Sequence, residues 1–330
     1  MYKNQILEHL RSSDPSRLFA EADQVRTHYC GEEVHLRGII EFSNYCHQDC
    51  LYCGLRRSNV TVTRYRMTSK EIIACAQKAL ALAIPTVVLQ SGEDLFYKIE
   101  DLCFIVQEIK KLNIAITLSI GERSLDDYRR LREAGADRYL LRLETSDEKL
   151  YAKLRPGHSF FERLKCLQWL KELGYQVGSG IMVGLPEQSL ESIADDILLF
   201  QSLDLDMIGI GPFLPHPNTP LAGNKSIGID MVLKVLAITR IVTRNTHIPA
   251  TTAVGTIDTQ GRQKALTCGA NVIMPNITPM QYRKFYEIYP DKICLSEDPA
   301  TCRGCVEKMI LKANRRVGTG PGHTLKEEKK

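Results

Sequence analysis

The chain has 330 residues, long enough for one large domain or two small ones and for a core that needs no covalent staples. Hydrophobic residues make up 44% and charged residues 25%, and 43 basic against 39 acidic side chains leave a net charge of +4, too balanced for a nucleic-acid footprint. The segment 80–89 is too short and too interrupted by Pro85 and Thr86 to span a bilayer, and the polar start of the chain has no signal-peptide core; the expectation is a cytoplasmic protein with neither a membrane nor a nucleic-acid partner.

Taken in chain order, the first predicted element is a helical preface over 6–21. Eight short apolar, β-branched runs follow, at 36–43, 86–91, 114–120, 138–145, 176–183, 207–212, 248–254 and 271–276. Segments of helical period separate them, at 68–83, 99–112, 125–134, 160–173, 190–203, 230–243 and 261–268. The first of these opens on Thr68-x-x-Glu71, a capping box. Gly135, Gly174 and Gly269 stand where a helix C-terminus wants a left-handed residue. Strand–helix alternation predicts an α/β fold with a parallel sheet, and eight units in this length fit a (βα)8 TIM-type barrel. A doubly wound open sheet is the alternative, because strand order is not written in one sequence. The expected layout is a preface over 1–35, a barrel over 36–290 and a C-terminal segment over 291–330. That segment carries a second cysteine group and ends in a Gly-rich, charged tail, 318–330, expected to be disordered.

In a barrel of this kind, function sits at the C-terminal ends of the strands. Unusual residues gather there. Cys46, Cys50 and Cys53 follow the first run, and Gln90-Ser91-Gly92-Glu93-Asp94 closes the second. Thr117 and Ser119 end the third, and Arg142 and Glu144 end the fourth, two apart and so on one face. Thr251 and Thr252 lie on the seventh, Met274 and Asn276 on the eighth. A polar residue inside a short strand is costly unless paired or used. Any one of these could be a satisfied core group, but their shared position argues for a site.

The cysteines decide the chemistry. There are eleven, an odd number, and six fall into two tight groups, which is not the pattern of a secreted disulfide framework. Cys30, Cys75, Cys103, Cys166 and Cys268 stand alone and read as small buried apolar residues. Cys46-x3-Cys50-x2-Cys53 puts three thiolates, the natural ligands of iron–sulfur clusters, on one compact loop. Three thiolates on a four-iron cluster leave one iron open to chelate a small molecule. A zinc site would need a fourth ligand, and His47 is wrongly spaced for one.

This motif, with Tyr52 before its last cysteine and its place after the first barrel strand, resembles the radical SAM superfamily. The resemblance implies a 4Fe–4S cluster whose open iron binds S-adenosylmethionine (SAM). It further implies reductive cleavage of SAM to methionine and a 5′-deoxyadenosyl radical, with the protein positioning and shielding the chemistry. Carried over residue by residue, Ser91, Gly92 and Glu93 resemble the strand-two segment that holds the SAM amino group, Ser91 standing in for a usual glycine. Glu144 matches a carboxylate that contacts the ribose or amine. Arg163 matches the partner of the SAM carboxylate, and its fork suits that geometry; its plain alternative is a surface helix residue. Met182, in the segment 180–187, takes the usual Ile place near adenine, and Tyr52 would stack on that ring.

Longer runs narrow the resemblance. Arg64-Tyr65-Arg66-Met67-Thr68, Leu89-Gln90-Ser91-Gly92-Glu93-Asp94, Gly209-Ile210-Gly211-Pro212-Phe213-Leu214-Pro215-His216-Pro217 and Ala270-Asn271-Val272-Ile273-Met274-Pro275-Asn276 resemble the HydE family of diiron (FeFe) hydrogenase maturases. Biotin synthase and methylornithine synthase share the barrel and are the rival readings, and a non-catalytic Fe–S carrier or scaffold is the reading from a different class. The family implies an anionic or organometallic small substrate, an electron donor such as ferredoxin or flavodoxin, and other hydrogenase maturation factors as partners. Arg142, Thr117, Thr251, Thr252, Met274 and Tyr286 are then the candidates for lining the substrate cavity, where small hydroxyls and one cation suit an anion. His216, in a Pro-rich loop, reads as a loop-ordering residue. Cys294-x7-Cys302-x2-Cys305 resembles an accessory Fe–S site (2Fe–2S or 4Fe–4S) present in some members, expected near the surface and away from the barrel mouth; zinc or free thiols are its alternatives.

Overall fold

A computed structural model of the chain describes residues 1–326. Its strands are β1 (Glu33–Leu36), β2 (Gly38–Ser43), β3 (Thr86–Ser91), β4 (Ala115–Ser119), β5 (Arg138–Leu140), β6 (Gln176–Val183), β7 (Met207–Pro212), β8 (Val272–Ile273) and β9 (Arg316–Val317). Strands β2 to β7 pair in sequence order and all in parallel. Parallel bridges then carry the ring round, from Met207 to His247 and from Pro249 to Val272. β8 pairs with β1, and Ile39 in β2 bridges Asn276. The ring therefore closes, as a barrel does, and the open-sheet alternative falls. Its wall is made by branched side chains that are buried completely or nearly so, Val87, Ile116, Ile181, Ile208 and Ile210 among them.

The helices form where their caps and apolar stripes lie. Thr68 Oγ1 accepts the Glu71 N–H while Glu71 accepts the Thr68 N–H at 2.7 Å, so the predicted capping box starts helix Ser69–Ala81. Gly135, Gly174 and Gly269 have φ of 114°, 76° and 122°, left-handed values that end their helices.

Five expectations are corrected. The preface is two helices, Lys3–Arg11 and Ser16–Cys30, because Pro15 cannot continue the first one. The run 36–43 breaks at Arg37: Leu36 ends β1, which pairs with β8 and β9, and the rest forms β2, which pairs with β3. The run 138–145 is regular only over β5, after which Glu144 turns to φ 70° and bridges Ile181. The run 248–254 is not a strand through its length: Thr251 Oγ1 accepts the Val254 N–H and caps helix Thr252–Ile257. The tail is ordered through Lys326. Arg138 donates to the Pro321 and Gly322 carbonyls at 2.9 and 3.0 Å, Arg37 donates to the Gly322 carbonyl at 3.1 Å, and the Thr324 N–H donates to Gln176, so this segment seals the N-terminal end of the barrel. Residues 327–330 of the expected disordered tail lie outside the described residues.

Candidate active site

The loop after β2 is held open-handed around its three cysteines by backbone hydrogen bonds. Asn44 donates to the carbonyls of Thr63 (2.8 Å) and Phe285 (2.7 Å) and accepts the Tyr65 N–H. Arg64 reaches into the loop and donates to the carbonyls of Leu55, Arg56 and Asn59. Asn59 donates to the Gly54 carbonyl at 2.7 Å. Ser43 and Arg66 both bind Asp94, fixing the cysteine loop to the segment after β3. These side chains replace the pairing that regular structure would give, since buried backbone groups must find partners. Gly92 and Gly54 are glycines for space. A Cβ at Gly92 would stand 2.2 Å from the Tyr45 carbonyl oxygen and 2.8 Å from the Cys46 Cβ; one at Gly54 would stand 2.1 Å from the Glu287 carbonyl oxygen.

Cys46, Cys50 and Cys53 face one cavity of about 330 Å³ that runs down from the loop into the barrel. Burial raises the Cys46 thiol to about 11 and pushes Cys53 higher, with Cys50 and Cys46 adding to the effect on Cys53. Such thiols stay protonated until a cation takes them as thiolates. Three soft donors on one side of a cavity suit a four-iron cluster with an open corner. The rest of the rim suits a zwitterionic ligand with an adenosyl group.

Glu93 is the hub of that rim. It accepts from Gln48 at 2.6 Å, lies 3.4 Å from Arg155 and 3.5 Å from Arg163, and its N–H donates to Cys46 Sγ at 3.4 Å. Burial raises its carboxyl, but the two guanidinium groups and Gln48 outweigh burial and hold it below the ordinary range. Arg163 also pairs with Glu122 at 2.7 Å and lies deep in the wall. Arg155 lies beside the Tyr52 hydroxyl at 3.5 Å, and its Nε is buried with no partner. A buried guanidinium nitrogen left unsatisfied is costly, and a ligand carboxylate would satisfy it. Arg155 is therefore a site residue that sequence reasoning missed, as it missed Gln48; Arg155 lies outside every motif, and Gln48 is only a spacer position within the cysteine one.

The predicted SAM-side residues Tyr52, Ser91, Gly92, Glu93, Glu144, Arg163 and Met182 all line the cavity. Of the predicted substrate residues, Arg142, Thr251, Thr252, Met274 and Tyr286 do too. Thr117 does not; it sits one layer below Ser119, two residues earlier on the same strand face, with its hydroxyl buried and unpartnered. Arg142 is corrected in another way. Its Nε and Nη2 bind the Glu144 carboxylate at 2.9 Å, and Nη2 donates to the Ile181 carbonyl at 2.7 Å. It is a neutralised, bidentate partner of Glu144 rather than a free cation in the cavity. A second buried pair, Lys292 with Glu41, lines the cavity opposite, and Asn276 donates to the same Glu41 at 3.1 Å. Sequence reading gave no signal for Glu41 or Lys292, one within a strand and one in an irregular loop. His216 is buried, accepts the Asn218 N–H through Nδ1 at 3.1 Å and so orders its own turn.

The second cysteine group differs from its expectation. Cys294 and Cys302 gather with Glu297, their ligand atoms within 4.8 Å of one another, while Cys305 is exposed on helix Pro299–Lys312. The group is also nearer the barrel than expected. A small chamber of about 20 Å³, lined by Cys294 and Cys302, shares Glu41, Thr252, Met274 and Lys292 with the main cavity.

Comparison with known proteins agrees with this geometry. Residues 40–200 match the radical SAM superfamily. The FeFe-hydrogenase maturase subunit HydE of Thermotoga maritima is 53% identical over 301 residues, 91% of this chain and 86% of that protein. A 3-methylornithine synthase of Methanosarcina acetivorans is 34% identical over 78% of this chain and 73% of its own length. The crystal structure of methylornithine synthase PylB superposes with a TM-score of 0.84 over 96% of this chain and 94% of that one, at 27% identity.

Proposed function

Because this chain belongs to the HydE family of FeFe-hydrogenase maturases within the radical SAM superfamily, we propose that its cavity carries an assembly step on a small, sulfur-bearing iron species. The chain is a radical SAM enzyme that acts in assembling the diiron subcluster of FeFe hydrogenase, using a 4Fe–4S cluster and SAM. When bound, those groups supply one electron to a sulfur–carbon bond of SAM and deliver a 5′-deoxyadenosyl radical. The role implies a small substrate and other maturation factors.

In our assignment Cys46, Cys50 and Cys53 hold the cluster. Arg155 and Arg163 take the SAM carboxylate, and Gly92-Glu93 accommodate its amine. Glu144, oriented by Arg142, meets the ribose or amine, while Tyr52 and Met182 flank the adenine. Thr251, Thr252, Met274 and Tyr286 line the substrate end. The substrate we favour is a cysteine-bound iron carbonyl–cyanide species made by a partner radical enzyme, attacked at sulfur or cleaved at its C–S bond. The electron comes from a ferredoxin or flavodoxin, and the protein works in the cytoplasm. Cys294, Cys302 and Glu297 hold an accessory, labile metal or Fe–S site.

The observation that carries the reading is one continuous cavity from the three cysteines to the strand ends that would meet the substrate. Its test is complementation. The protein restores active hydrogenase to a lysate that lacks this maturase and contains the other factors, and it does not relieve biotin dependence. Biotin rescue without hydrogenase maturation would overturn it. Arg142→Leu ends maturation and also weakens SAM binding, because it strips a buried Glu144 of its partner.

A further inference from the structure

The net charge of the chain is not spread over it. Residues 44–70 hold five basic side chains, Arg56, Arg57, Arg64, Arg66 and Lys70, against one acidic, Asp49. Their excess of four equals the excess of the whole chain, so the remaining 38 basic and 38 acidic residues balance. This segment is the loop that carries Cys46, Cys50 and Cys53 together with the start of helix Ser69–Ala81, which holds Lys70. Some of its cations are structural: Arg64 binds loop carbonyls, Arg56 pairs with Asp49 and Arg66 with Asp94. Arg57 is exposed on the same loop, and Lys98 is exposed beyond the neighbouring segment.

The same two segments leave large apolar side chains in water. Val60 is 91% exposed, Leu95 65%, Phe96 62% and Tyr45 36%. Arg66 lies between the Tyr45 and Phe96 rings, 3.6 and 4.4 Å from their centroids, which holds both rings in place. Tyr45 precedes Cys46, and Leu95 and Phe96 follow the Glu93-Asp94 step whose N–H meets Cys46 Sγ. An apolar patch with Arg66 between two of its rings thus flanks the cysteine loop, with Arg57 exposed on that loop and Lys98 two residues after Phe96, followed by the exposed Glu100, which pairs with Arg130, and Asp101. Exposed apolar patches rimmed by charge mark protein contacts.

We propose that this patch is the docking surface for an acidic one-electron carrier protein, with Arg57 and Lys98 steering it and Tyr45, Leu95 and Phe96 forming the contact. The proposal rests on the radical reading of the loop, which demands one external electron for each SAM cleaved. The carrier gives up that electron from its reduced flavin or iron–sulfur centre and leaves oxidised by one electron; the sulfur–carbon bond of SAM consumes it as it breaks. Tyr45 is bonded directly to Cys46, so the patch borders the cysteine loop, and exposed cations accelerate and orient encounter with an acidic partner while leaving the complex short-lived. Small interfaces of this kind suit redox encounters.

The test uses the full, cluster-loaded protein and a reduced acidic flavodoxin as probe. Binding is measured at about 50 mM and about 300 mM salt, where screening of exposed charges differs strongly. The parent affinity falls about tenfold or more between the two, and the double variant Arg57→Glu, Lys98→Glu loses about tenfold at low salt. Carbodiimide cross-links join carrier carboxylates to Lys98. SAM cleavage driven by dithionite is the same in parent and variant. Unchanged flavodoxin affinity in the double variant overturns the proposal. So does affinity that ignores salt and falls only with Leu95→Ser, since it would assign the patch to an apolar partner. Loss of dithionite-driven cleavage in the parent would instead indict the radical reading itself.

Discussion

Two groups of three cysteines, each ending in Cys-x2-Cys, meet different fates in this fold. Cys46, Cys50 and Cys53 lie on irregular backbone and line one cavity, the loop being held by Asn44, Asn59 and Arg64. Cys302 and Cys305 lie three apart on helix Pro299–Lys312, which Asp298 caps, and the helix turns Cys302 inward and leaves Cys305 in water. Cys294 reaches Cys302 from a residue at φ 65°, and the third donor at that point is Glu297. Spacing fixes a ligand set when the backbone between the ligands is free to wrap. On a helix the helix fixes the directions, and a neighbour of different chemistry can fill the gap.

The largest effect tests that contrast directly. Cys50→Ala abolishes the reduced 4Fe–4S EPR signal that responds to SAM, and with it SAM cleavage. Replacing Cys294, Cys302 and Cys305 together lowers bound iron but leaves SAM cleavage largely intact. The chamber joining the second group to the main cavity makes this a demanding test. If cleavage vanished in the folded triple variant, both groups would serve the radical step and the contrast would collapse.

Next in size is the carboxylate clamp. Arg163→Ala weakens SAM binding by about 2–4 kcal/mol, the loss expected when one member of a buried, hydrogen-bonded charge pair is removed. Isothermal titration would read this as roughly 30- to 1000-fold in affinity. Arg155→Ala falls in the same range. Both guanidinium groups lean on Glu93, so the double variant loses less than the two singles combined. Unchanged SAM affinity in either single variant would remove that residue from the clamp.

How far the sequence could be read follows the same line. Residues announced by a motif or a strand end, the cysteine loop, Gly92, Glu93 and Glu144, all line the one cavity. What pattern does not carry is the choice of partner. Arg142 and Glu144, two apart on one face, could as well have pointed separately at ligands as bonded to each other. Arg155 and Lys292 were invisible because a lone basic residue in a loop looks the same buried or exposed. The barrel was legible through its alternation, whereas the seventh run was not, because Thr251 caps a helix instead of continuing a strand. The ordered tail escaped notice because its anchors are backbone carbonyls taken by Arg37 and Arg138, which composition cannot express.

A smaller effect separates the two ligand sets by metal content. Glu297→Gln lowers the metal retained at the second site, and Cys305→Ser leaves it unchanged, with iron and zinc counted per chain after gel filtration. The opposite pattern would restore the three-cysteine set and remove the contrast drawn from helix geometry.

The smallest effect concerns what stands behind each group. The wall next to Glu144 is held by Asp196, whose carboxylate accepts the Ser146 N–H while its Oδ2 is buried without a partner. Burial raises this carboxyl to about 7, opposed only in part by the Ser146 hydrogen bonds. The folded state therefore holds a proton that the unfolded state releases near the ordinary carboxylate value of 3.8. Stability from this group is fully present below that lower value and is lost as pH rises through about 7. Asp196→Asn mimics the protonated form. It should match the parent in thermal stability near pH 4, gain on it as pH rises towards 7, and exceed it near pH 8 by about 2–4 °C. Metal retention at Cys294 and Cys302 should not follow that change, because Asp196 touches only the wall of the radical site. A variant that tracked the parent at both pH values would show that Asp196 is ionised throughout, with a partner for Oδ2 in solution.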